Sequence, residues 1–193
     1  TKIVVFYKAK LNGNAVIGNA PGGNKGGNPN TVKLEYSNNP YAEGTGETIE
    51  DTVADFAFKL NLNKVDQGTE KGLAGAVFTI QSDDTNTEGQ YVASKADAGA
   101  GVVKGQLVAV DDANNANNLP EYVKFTSGDD GKIAVSGLDA GSYKVTEVQT
   151  PDDSKYTKAS PFTFTIKEDY DDSAMKVTGL TASVSEDDKG RTD

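Results

Sequence analysis

In the stretch DFAFKLNLNKV, Phe56, Phe58, Leu60 and Leu62 recur at every second position. A period of two places them on one face of a β-strand, because successive side chains of an extended chain point to opposite sides. The same period returns in other short runs rich in Val, Ile, Thr, Phe and Tyr, separated by clusters of Gly, Asn, Asp and Pro. That pattern predicts an all-β protein. Strands are expected over Ile3 to Leu11, Thr31 to Ser37, Val53 to Val65, Ala76 to Ser82, Lys132 to Ser136, Ser142 to Gln149, Phe162 to Ile166 and Lys176 to Val184. Turn sequences such as SGDDGK and LDAGSY supply the flexible residues that hairpin connections need.

The first of these apolar rows ends on a charge. Lys64 is its next member, so the periodicity points an amine where a core should be. SYKVTEV repeats the anomaly with the opposite sign, because Tyr143, Val145 and Glu147 share one face while Lys144, Thr146 and Val148 take the other. Moving an isolated charge into a low-dielectric interior is costly, so something must offset it. One account is an ordinary salt bridge, or two side chains snorkelling from strand ends. The other makes Lys64 a nucleophile. Desolvation lowers the pKa of an amine and raises that of a carboxyl, so a pair buried together favours a neutral amine beside a neutral or proton-sharing acid. Such an amine could attack a side-chain amide while the acid shuttles protons, releasing ammonia and leaving an amide crosslink.

Composition narrows the remaining chemistry. The chain has 193 residues, a formal charge of −10 and acidic clusters at Glu168 to Asp172 and Glu186 to Asp188, which argue against nucleic acid and anionic lipid as partners. Cys and His are both absent, which removes disulfides, the usual zinc ligands and imidazole bases. No apolar run reaches the length of a membrane span. TKIVVFYKAK alternates like a strand and lacks a signal-peptide core, so the chain is expected to start inside a domain, as a fragment of something longer. GNAPGGNKGGNPN lacks the Gly-Lys-Ser/Thr ending of a phosphate loop, and the acidic runs lack calcium-loop spacing, so neither a cofactor nor a metal is expected.

The segment Asn38 to Thr48, NNPYAEGTGET, places a domain junction near Asp51. Residues 1–50 then read as the last portion of one β domain and 51–193 as most of a second. Asp83 to Leu119 is polar and rich in Gly, Asn and Ala, and reads as a long insertion with one short helix or strand around Lys104 to Val110.

Two motifs together resemble a known family. NKVDQGTEKGLAGAVFTI, Asn63 to Ile80, is similar to the opening of a Cna B-type domain of Gram-positive surface proteins, in which a lysine precedes Val-Asp and a turn leads into Leu-Ala-Gly-Ala-x-Phe. GLDAGSYKVTEVQTPDDSKY, Gly137 to Tyr156, resembles the later strand of that family, with a Gly-x-Tyr approach, a glutamate followed by Pro, and a tyrosine after the next turn. VFYKAKLNGNAVIGN followed by GNPNTVKLEYSNNP resembles the end of the penultimate, Cna A-like domain of sortase-assembled major pilins. The resemblance implies an Ig-like β-sandwich of Cna B type preceded by strands of another sandwich. It also implies an intramolecular isopeptide bond with Lys64 as amine donor and Glu147 as catalytic acid. The family's acceptor, an asparagine or less often an aspartate on the last strand, has no counterpart after Lys176 to Val184, and is expected beyond Asp193.

Asn30 shares parity with Val32, Leu34 and Tyr36, so it starts an apolar row and could be the acceptor for a lysine upstream of Thr1. Asparagine is also common at the end of a Gly-rich turn, which leaves the bland reading open. The function implied is a structural shaft subunit of a cell-surface pilus on the Gram-positive cell wall, joined to other pilin subunits by sortase-made covalent links. The alternative is an adhesin or stalk module binding a host surface or matrix ligand through the Asp83 to Leu119 insertion. A turnover enzyme is disfavoured, since no Ser, Lys and Asp cluster accompanies the missing His and Cys.

Overall fold

A computed structural model describes residues 6, 11, 14–19, 26–39, 41–111 and 118–185. In chain order its strands are β1 (Asn28–Val32), β2 (Glu35–Ser37), β3 (Thr45–Glu47), β4 (Asp51–Asp55), β5 (Phe58–Asn63), β6 (Val77–Ser82) and β7 (Tyr91–Val92). Then follow β8 (Leu107–Val108), β9 (Phe125–Thr126), β10 (Lys132–Leu138), β11 (Gly141–Gln149), β12 (Phe162–Asp171) and β13 (Lys176–Val184). The protein is all-β, as its period-two runs predict, with an Ig-like arrangement of antiparallel sheets. The expected strand Ile3 to Leu11 falls almost wholly outside the described residues, as do Glu186 to Asp188 and part of the Gly-rich loop.

Seven strands form the larger sheet, in the order β13-β12-β11-β6-β7-β8 with β9 also paired to β6. Across from it lies the pair β10-β5. The core is made by the apolar alternates of both: Phe58, Ile133, Val135 and Leu138 from the small sheet, and Phe78, Ile80, Tyr143, Val145, Phe164 and Ile166 from the large one. The rings of Tyr143 and Phe164 stack at 5.3 Å between centroids. Tyr143 also closes the turn before its own strand, since its hydroxyl donates to the carbonyl of Asp139 and accepts from that residue's N–H. Burial pushes the Tyr143 hydroxyl above its usual pKa, which keeps it neutral and able to do both.

The long run from Val53 to Val65 is two strands rather than one. β4 pairs with β1, whereas β5 pairs with β10. The change of partner falls at Phe56 and Ala57, where Ala57 is buried between the inward residues Phe56 and Phe58. Phe56 packs edge-on against Tyr170, and Ala57 bridges to Ile17. At these contacts the strand is handed from one ladder to the next.

The Asp83 to Leu119 segment also departs from a plain polar loop. It contributes β7 and β8 to the large sheet, so the element near Lys104 to Val110 is a strand. Beneath it Tyr91, Ala93, Val102, Val108, Leu119 and Val123 form a second buried cluster. Gly105 (φ +84°) and Gly137 (φ +87°) anchor it: a Cβ on Gly105 would lie 2.7 Å from the Gly137 Cα. The register of β10 shifts between Ser136 and Leu138, at this crossing.

Candidate functional site

Lys64 follows directly on β5. Exposure along Phe58 to Asn63 alternates in and out, and Lys64 continues the inward side. Its backbone is clipped on both sides, because its N–H donates to the carbonyl of Gly131 at 2.8 Å and its carbonyl accepts from Leu73 at 2.9 Å. The clip needs two glycines. A Cβ at Gly131 (φ +78°) would run into the Lys64 carbonyl oxygen, and one at Gly72 into that of Asp130.

Glu147 arrives from β11, opposite Phe78 on β6. The register shifts between Glu147 and Gln149, so Val148 is a bulge residue, and it turns to the second cluster. Tyr143, Val145 and Glu147 are all buried, as the alternation of SYKVTEV requires. A bulge directly after Glu147 fixes the face on which this strand delivers its carboxyl group.

The two side chains meet, with Lys64 Nζ donating to Glu147 Oε2 at 3.0 Å. The Lys64 side chain keeps 14% of its accessible surface and that of Glu147 keeps none. Every other ion pair among the described residues includes a carboxylate or ammonium more than a third exposed. Glu147 Oε2 also accepts the backbone N–H of Ala159 at 2.7 Å. Its Oε1 is buried and has no hydrogen-bond partner among the described residues. A buried carboxylate oxygen without a donor is expensive, which makes this pair unlike a fully satisfied structural salt bridge.

The turn after Lys64 is fixed by its own hydrogen bonds. Asp66 accepts from Thr69 Oγ1 and from the N–H groups of Thr69 and Gly68, and these bonds, Thr69 foremost, hold its carboxyl below the usual aspartate range. Ala159 and the glycine clip went unpredicted, because a backbone N–H and a missing Cβ leave no side-chain signature. The Gly131 turn was nevertheless visible as SGDDGK.

Asn30 lies elsewhere. It sits in β1 opposite Val53 of β4 and is exposed, and Val32, Leu34 and Tyr36 of the same parity are exposed with it. Among the described residues no group of three or more carboxylates is placed to hold a metal ion, and no helix is long and apolar enough to cross a membrane.

The model of the SpaA family, described as a prealbumin-like fold domain, matches residues 58–180, from the first residue of β5 into β13. The chain belongs to this SpaA domain family. The match takes in both Lys64 and Glu147, so the paired residues lie within the SpaA domain proper. No curated protein sequence matches the chain. Among solved structures it is similar to the T6 backbone pilin of serotype M6 Streptococcus pyogenes, at 18% identity and a TM-score of 0.47 over 80% of this chain and 26% of that one. It is similar to BcpA, the major pilin of Bacillus cereus, at 18% identity and a TM-score of 0.42 over 82% of this chain and 35% of that one. It is also similar to the pilus adhesin RrgA of Streptococcus pneumoniae, at 23% identity and a TM-score of 0.36 over 67% of this chain and 12% of that one. The chain thus spans well under half the length of each.

Proposed function

We propose that this SpaA domain is a structural module of a covalently polymerised cell-surface pilus, stiffened by an isopeptide bond that Lys64 donates and Glu147 promotes. The observation that carries the reading is the buried pair itself: Lys64 Nζ at 3.0 Å from Glu147 Oε2, with Glu147 Oε1 buried and unpartnered among the described residues. The neutral amine of Lys64 attacks the side-chain carbonyl carbon of an asparagine or aspartate, forming a C–N bond. Glu147, protonated beside the amine, lends its proton to the acceptor's carbonyl oxygen, takes one from the attacking nitrogen and passes it to the leaving group, which departs as ammonia from asparagine or water from aspartate while the oxygen's proton returns to Glu147. Glu147 ends as it began, so the step occurs once per chain and needs no oxidant or cofactor.

β5 pairs with β10 along one edge and has no ladder on its other edge among the described residues. A further strand carrying the acceptor fits there, beside the Lys64 row. A bond between first and last strands restricts the unfolded chain as a disulfide does, without cysteine. Tension then passes through a covalent bond instead of through ladder hydrogen bonds that peel in turn. In this reading residues 1–50 are the end of a preceding Cna A-like pilin domain, with Asn30 a candidate acceptor for an upstream lysine, and residues 51–193 are the Cna B-type domain. The partners are other pilin subunits joined by sortase, on the Gram-positive cell wall.

Tryptic digestion of a polypeptide extended past Asp193 tests the chemistry. The expected product is a branched peptide containing Lys64, resistant to cleavage at that residue. A linear peptide cleaved after Lys64 would contradict it.

One observation favours a second reading, an adhesin or stalk module binding a host ligand. The Asp83 to Leu119 insertion is packed on its own buried cluster, which makes it a firm platform for recognition. Binding of collagen or a host glycoprotein that is lost when the insertion is removed would support that role.

A further inference from the structure

The carboxyl group of Glu147 is held asymmetrically. Lys64 Nζ at 3.0 Å and Ala159 N–H at 2.7 Å both donate to Oε2, while Oε1 has no partner among the described residues. Ala159 belongs to the strap between β11 and β12, which is fixed before it reaches Glu147. Thr150 Oγ1 donates to the Asp153 carboxylate, and the N–H groups of Lys155 and Tyr156 donate to the carbonyl of Asp152.

Resting on the crosslinking reading above, we propose that the backbone N–H of Ala159 is a positioning group that dictates which oxygen of Glu147 serves the reaction. Two donors on Oε2 place the negative charge there, so a proton taken up by the carboxyl group resides on Oε1. Protonated Oε1 is then the donor that meets the acceptor carbonyl and polarises it for attack by Lys64. A terminal carboxyl torsion is broad, so without the Ala159 bond the two oxygens can exchange roles. The strap thus contributes one backbone hydrogen bond that sets the direction of proton flow.

Replacing Ala159 by Pro removes the N–H, whereas Gly keeps it. In a polypeptide extended past Asp193, the time course of mass loss should be slower by about tenfold or more in Ala159→Pro, with Ala159→Gly close to the unsubstituted rate. Equal rates in the two variants would overturn the role of Ala159 while leaving the crosslink standing. No mass loss in the unsubstituted chain would overturn the crosslinking reading and this one with it. Should Ala159→Pro fail to fold, amide exchange decides: the Ala159 N–H should exchange about tenfold slower in the unsubstituted protein than in Glu147→Ala. Equal exchange in those two proteins would also overturn the proposal.

Discussion

Lys64 and Glu147 are 83 residues apart in sequence and 3.0 Å apart in space. They come from facing sheets, Lys64 beyond the end of β5 and Glu147 within β11, so their contact forms only when the sandwich closes. Chemistry that depends on this pair is therefore coupled to folding.

The two partners differ in what they lose when separated. Glu147 is wholly enclosed, whereas Lys64 retains a path to solvent. Lys64→Met leaves a buried carboxylate with Ala159 as its one donor, and should cost about 3–5 kcal/mol of unfolding free energy. Glu147→Leu leaves an amine that can snorkel outward, and should cost less. Urea unfolding of both variants and of the double variant checks this. A double variant at least as stable as the unsubstituted protein would show the pair to be retained for something other than stability.

Two glycine crossings make sharper demands than the sequence reveals. Gly137→Ala meets the backbone of Gly105 and keeps a positive φ, so it should destabilise by about 1–3 kcal/mol and loosen the insertion. Gly75 has a similar φ of +85° with nothing within 4 Å of an added Cβ, so Gly75→Ala should show only the conformational cost, about 1–2 kcal/mol. Denaturation midpoints of the two, with amide exchange over residues 91–110, separate the clash from the torsion.

The insertion should open on its own. Val123 is fully buried in the second cluster, and Val135 is buried in the main core. Val123→Ala should raise exchange chiefly over 91–110, whereas Val135→Ala should lower protection across β5, β6 and β10 together. A cost of about 1–3 kcal/mol is expected for each.

Glu168 on β12 carries a pH dependence of definite sign. Burial, and secondarily the charge of Asp139, holds its carboxyl above its ordinary value of 4.5. Its Oε2 is buried without a partner among the described residues. A raised acid binds more protons folded than unfolded, so its contribution is fully present below the ordinary value and is lost as pH rises through the folded one. Glu168→Gln should therefore be more stable than the unsubstituted chain at pH 7, and the difference should vanish below pH 4.5. Thermal unfolding of both proteins across that range checks it.

Much of this was legible from periodicity alone. Alternation places Phe58, Leu60, Leu62 and Lys64 on one side and Tyr143, Val145 and Glu147 on another, and the fold needs only to close for the charged ends to meet. What stayed hidden lacks a periodic signal. The break at Phe56 and Ala57 comes from tertiary contacts with Tyr170 and Ile17. β7 and β8 are two residues each, too short to show a period, and they are held by a cluster drawn from Tyr91 to Val123. Ala159 acts through its backbone, where residue identity says little.

The most direct test is the intact mass of a polypeptide extended past Asp193, beside its Lys64→Ala and Glu147→Ala variants. The account predicts a mass lower by one ammonia, or by one water for an aspartate acceptor, in the unsubstituted chain and the full calculated mass in both variants. The full calculated mass in the unsubstituted chain would contradict it and return Lys64 and Glu147 to a buried ion pair.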